Sequence, residues 1–182
     1  MAEAEFNVRG VNHLALVCSD MKRTVEFYRD LLGFPLTKTL VLPDNKGQHF
    51  FFDIGNGDSL AFFWFPGAPD RQPGVVAPEA LPGLGDITTA VGSMNHVAFD
   101  VSPEVIESYA QKLRDKGVRC VGPVNHDDSD AGWSRELHDG VFMRSVYFFD
   151  PDGLSLEFAA WLRVLTPEDV RHEPAGAVLH AR

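Results

Sequence analysis

The sequence predicts an α+β fold made of two βαβββ modules in tandem. Three observations carry that prediction. A strand-like run opening on Asn-His occurs twice, in VNHLALVCSD from Val11 and in MNHVAFDVSP from Met94. Each is followed by a segment with helical apolar spacing and then by three strand-like runs. The closing runs match as well, GDSLAFFW at Gly57–Trp64 against GLSLEFAAW at Gly153–Trp161.

Taken in order, the first module spans residues 8–65. Its opening strand alternates His13, Ala15 and Val17 with Leu14 and Leu16. The helix is expected over Met21–Leu32, with Val25, Tyr28, Leu31 and Leu32 on one face and Gly33 as its stop. Strands follow near Phe34–Leu42, Gln48–Ile54 and Ser59–Phe65. Residues 66–93 are rich in Pro and Gly without helical or strand period, and read as a linker. The second module spans residues 94–163. Its helix is expected over Glu104–Lys116, with Ile106, Tyr109 and Leu113 aligned and Gly117 beyond the end. Its strands lie near Val118–Asn125, Phe142–Phe149 and Leu154–Trp161. Asn125–Gly140 between them is a polar, acidic loop suited to a lid or rim. Residues 164–182 form a loosely held tail with Pro167, Pro174 and Gly176.

Composition narrows the function. At 182 residues and 45% hydrophobic, the chain supports a compact core. A net charge of −10 disfavours a sequence-independent grip on nucleic acid, which needs clustered Lys and Arg, and docking on anionic membranes. No apolar run approaches the ~20 residues of a membrane-spanning helix. The N-terminal MAEAEFNVRG lacks the apolar core of a secretory signal. Cys18 and Cys120 sit in apolar runs and read as free thiols, so a cytoplasmic protein is expected.

The chemistry lies on the strands. His13 shares a face with Ala15 and Val17, His96 with Ala98 and Asp100, and Glu157 with Ser155 and Ala159. The opposite faces carry the bulky residues that pack under a helix. Small neighbours leave room for a metal and a substrate. Two imidazoles and one carboxylate, His13, His96 and Glu157, make up a 2-His-1-carboxylate set with open metal positions, which points to Fe(II) or Mn(II). A lone strand His is usually a hydrogen-bonded core or surface group, and a lone Glu can pair with Arg. Recurrence of His after Asn at the same place in both copies favours metal binding.

The doubled pattern resembles the vicinal oxygen chelate superfamily over about residues 8–163, and that resemblance implies a half-open mixed β-barrel or cup around the metal. The superfamily includes glyoxalase I, methylmalonyl-CoA epimerase, fosfomycin-resistance transferases and type I extradiol ring-cleaving dioxygenases. His13, His96 and Glu157 match three of its ligand places; the fourth holds Ala61. The stretch from His138 through Tyr147 and FFDPDG to Glu157, ten residues after the Tyr, is most similar to the extradiol enzymes. There the His handles a proton and the Tyr hydrogen-bonds the metal-bound substrate. The resemblance therefore implies cleavage of a catechol-like aromatic diol by O2, with His138 and Tyr147 as catalytic residues.

Three departures stand against it. Glu136 replaces a small or β-branched residue, the further active-site His expected near Ala61 is missing, and most biphenyl-type enzymes carry twice as many modules. His49 and His126 are candidates to replace the missing His, but the sequence does not place them. The alternatives are a metal-dependent lyase, isomerase or thiol transferase of the glyoxalase type, and a non-catalytic small-molecule binding or resistance protein. Relatives are often dimers, which leaves a homodimer open.

Overall fold

The computed structural model describes residues 8–176. Strand β1 (His13–Val17) runs into Asp20, whose carboxylate accepts from the Arg23 amide and caps helix α1 (Met21–Val25). The expected single helix over Met21–Leu32 is thereby corrected. At Glu26–Leu31 the backbone widens into a π-helical turn, closed by the Leu32 amide on the Phe27 carbonyl at 2.9 Å. The wider turn brings Phe27 and Tyr28 into the core together, with Tyr28 fully buried. Strands β2 (Leu36–Val41), β3 (Gln48–Gly55) and β4 (Asp58–Trp64) complete the module.

The second module repeats the plan with β5 (Val97–Asp100), α2 (Ile106–Asp115), β6 (Cys120–His126), β7 (Met143–Phe149) and β8 (Ser155–Trp161). His96 stands one residue ahead of its strand rather than opening it. Pro103 starts a 3₁₀ turn over Pro103–Val105, so α2 begins later than Glu104. Ile106, Ala110 and Leu113 form its buried stripe. Gly117, at φ 76°, ends it as predicted: Val118 donates back to the Leu113 carbonyl at 2.9 Å, a bond that needs the left-handed residue between.

The two sheets have one topology, β1-β4-β3-β2 and β5-β8-β7-β6, with β1 parallel to β4 and β5 parallel to β8. Among the described residues no hydrogen-bonded ladder joins them, so the barrel is not closed, and β1 and β5 are both edge strands. The core is nevertheless continuous. Phe34 packs edge-on to Phe99 with centroids 5.1 Å apart, and buried Tyr28 donates to Asp150 Oδ2 across the modules at 3.1 Å. Burial pushes Asp150 up to about 6, against the hydrogen bonds it accepts from Leu154, Tyr28 and Asp152. The linker carries no strand or helix of its own, yet Ala77, Pro78 and Leu81 are buried. Cys18 and Cys120 are free thiols. Among the described residues no helix is long and apolar enough to cross a membrane.

Candidate metal centre

The register of the second sheet builds the site. Ala98 pairs with Glu157 and Tyr147 pairs with Glu157 from the other side, so all three share the face that His96 enters. His96 Nε2 lies 3.0 Å from Glu157 Oε2. The Glu157 side chain is 3% exposed and that of His96 40%, so the pair sits at the floor of an open face. Tyr147 is buried, its ring 6.2 Å from that of His96.

Each Asn-His pair has a physical purpose that the sequence only hinted at. His96 Nδ1 donates to Asn95 Oδ1 at 2.8 Å, and His13 Nδ1 donates to Asn12 Oδ1 at 2.8 Å. An amide oxygen only accepts, so both imidazoles carry a proton on Nδ1, which leaves Nε2 as the nitrogen able to bind a cation. That is the usual way an outer partner fixes the tautomer of a metal-binding His. In His96 it creates a conflict. Nε2 faces a carboxylate oxygen, which also only accepts, so the contact needs either a second proton or a cation between them. The hydrogen bond to Glu157 raises the His96 pKa accordingly. Burial works to raise the Glu157 pKa, but the hydrogen bond and charge of His96 lead the interactions that hold it below the usual carboxylate range. Glu157 Oε1 is buried with no hydrogen-bond partner, and so is the nearby Ser145 Oγ. An unpaired buried carboxylate oxygen costs about 1–3 kcal/mol or more, a cost that a cation or a hydrogen-bond donor beside it would relieve. These residues fit a divalent cation.

The predicted triad does not come together in one described chain. His13 is exposed on the edge strand of the other sheet, its ring 5.7 Å from Phe51. Among the described residues no three His, Cys, Asp or Glu side chains form a metal-holding group. The physical reason is topological: His13 and His96 mark equivalent edge strands of two separate sheets. Tyr147 does face His96 and Glu157. Burial first, and then the Glu157 charge, push its hydroxyl up to about 12, so it is a neutral donor at physiological pH. His138 lies in the loop, with Nε2 3.1 Å from Asp127 Oδ2 and its Nδ1 accepting from the Gly140 amide. The structure does not bring it to Tyr147.

Two histidines stand where sequence reasoning could not put them. His126, at the end of β6, places Nε2 3.1 Å from the Tyr147 hydroxyl. His49 stacks on Phe63 at 3.6 Å, and its buried Nε2 has no partner. Burial first, then the neighbouring His13 charge, lower its pKa. Their only sequence signal was being His in strand-like or loop-edge positions, which does not specify a face.

A family model, the Glyoxalase/Bleomycin resistance protein/Dioxygenase superfamily, matches residues 10–158. Among similar proteins, YwkD of Bacillus subtilis is 25% identical over 150 residues, covering 82% of this chain and 95% of its own. The glutathione transferase FosA of Serratia marcescens is 27% identical, over 82% of this chain and 79% of its own. The crystal structure of SMU.1112c superposes with a TM-score of 0.60 at 26% identity, over 84% of this chain and 99% of its own.

Proposed function

This chain belongs to the glyoxalase/bleomycin resistance protein/dioxygenase superfamily, and we propose that within it the protein is a metal-dependent thiol transferase acting on a small carbon electrophile. The observation that carries the metal half of this reading is the contact of His96 Nε2 with Glu157 at 3.0 Å, beside the unpartnered Oε1. The transfer half rests on the similarity to the glutathione transferase FosA. His96 and Glu157 would hold the metal, Mn(II) or Fe(II), from one sheet. His13, exposed and with Nδ1 held by Asn12, would be the third ligand and reach the site of a second copy of the chain. A bound divalent ion would supply Lewis acidity toward a substrate oxygen. The thiol gives up its proton and its sulfur bonds to carbon as a carbon–oxygen bond breaks, and the released oxygen takes one proton, so the adduct forms with no net gain or loss of protons. Tyr147, by turning its proton from His126, would donate a hydrogen bond to that oxygen as its charge develops.

A second reading, ring cleavage of a catechol-like aromatic diol by O2, keeps one specific support: Tyr147 lies directly opposite Glu157 in the β7–β8 register. Its other candidate, His138, would have to leave Asp127 to act. The discriminating experiment incubates the Mn(II)- or Fe(II)-loaded protein with glutathione or cysteine and a panel of epoxides, and measures adducts by mass spectrometry. In parallel, an oxygen electrode follows a panel of catechols. Thiol adducts without O2 uptake are expected. O2 consumption with ring-opened product, and no adduct, would replace the first reading with the second.

A further inference from the structure

The buried acceptor at the metal centre poses a question that the ligand set leaves open. Tyr147 stands opposite Glu157 in register, and a phenol proton rotated toward Oε1 would satisfy an oxygen that is costly to leave unpaired. Oε1 is nevertheless without a partner. The hydrogen bond that Tyr147 does make is to His126, at 3.1 Å. His126 is half-buried at the end of β6, its ring perpendicular to Tyr147 and 6.5 Å from Phe142. It lies 31 residues before Glu157 and on a different strand, so nothing in the ligand motif includes it.

We infer that His126 is a positioning residue for the metal centre: by accepting the phenolic proton of Tyr147, it keeps that proton off Glu157 and leaves the second carboxylate oxygen open to a cation. The inference rests on His96 and Glu157 being metal ligands. A phenol has one proton, so a hydroxyl donating to His126 Nε2 cannot also cap Glu157. Without His126 the proton turns to the nearest unsatisfied acceptor. The carboxylate then reaches the metal only by giving up that hydrogen bond. Ser145 Oγ is the other hydroxyl near Glu157, and it supplies a control.

The test is calorimetric titration of the metal-free chain with Mn(II). His126→Ala should raise the Kd about 3- to 10-fold, the range of a single hydrogen bond. Adding Tyr147→Phe to that variant should return the Kd to the wild-type value, a rescue that simple structural damage would not give. His126→Gln, whose amide oxygen still accepts, should stay near wild type, and Ser145→Ala should not rescue. In the unmutated protein, ¹⁵N resonances should show His126 with Nδ1 protonated and Nε2 bare. An Nε2–H tautomer, failure of Tyr147→Phe to rescue, or rescue by Ser145→Ala would each overturn the inference. If His126→Ala leaves the Kd unchanged while His96→Ala abolishes binding, the inference fails and the metal site stands. If His96→Ala leaves Mn(II) binding intact, both fall.

Discussion

The two modules share strand order and register, yet among the described residues only the second sets a carboxylate against its histidine. Counting two residues on from each His and crossing to the parallel partner gives Ala15 against Ala61 in the first sheet and Ala98 against Glu157 in the second. Across the antiparallel neighbour stand Phe51 and Tyr147 respectively. So the constellation His96, Glu157 and Tyr147 corresponds to His13, Ala61 and Phe51. Both modules keep the Asn that fixes the imidazole tautomer. The first has a methyl where the carboxylate would be and a bare ring where the phenol would be. Duplication fixed the scaffold, and side-chain chemistry at two of the three positions divided the roles: one sheet offers an exposed imidazole alone, and the other adds a carboxylate and a phenol to its imidazole.

The largest test erases that division. Glu157→Ala makes the second module resemble the first, and it should weaken Mn(II) binding by more than about 100-fold, since a first ligand matters at least as much as an outer partner. Binding within about threefold of wild type, measured by titration calorimetry, would remove Glu157 from the site.

A second contrast concerns the turns before each closing strand. The first uses Gly55, Asn56 and Gly57; the second uses Asp150, whose pKa is raised to about 6 by burial in the shared core. A folded pKa above the unfolded value of about 3.9 favours the protonated form in the native state. The stabilisation is complete below about pH 4 and is lost as pH rises through about 6. The loss is at most about 3 kcal/mol, or about 1.4 kcal/mol per pKa unit. Thermal melts from pH 4 to 7 should show Asp150→Asn gaining on the wild type as pH rises. Parallel curves would mean that Asp150 does not titrate in this window.

Tyr147→Phe converts the second module's donor to the first module's Phe51. Turnover should fall about 10-fold with metal content unchanged, the cost of one hydrogen bond to a charged oxygen. An unchanged turnover number would leave Tyr147 as an ordinary strand aromatic. The smallest effect is expected at His138, which its loop holds on Asp127 rather than on Tyr147. His138→Ala should alter turnover less than about twofold, since it removes only a partly exposed loop contact. A drop of about 100-fold or more, the size of lost general acid–base help, would show that the loop closes on the site and would favour ring cleavage.

The sequence alone determined the repeat, the alternation that sets His13, His96 and Glu157 in line with small residues, the glycine that ends each helix, and the lack of a carboxylate at Ala61. These follow from periodicity, and periodicity is local: a strand alternates every second residue wherever it sits. Even the pairing of Tyr147 with Glu157 was foreshadowed by a fixed spacing across one tight turn. Other features depend on how separate segments meet. His126 reaches Tyr147 only because β6 folds back on β7 with a register shift between Val121 and Val124, which strand alternation does not fix. The π-helical turn answers to the core that Phe27 and Tyr28 must share. The unpartnered oxygen of Glu157 is visible only once every neighbour is placed. The separation of His13 from His96 and Glu157 was likewise decided by tertiary structure, because β1 and β5 are edges of different sheets and nothing along the chain states which edges meet.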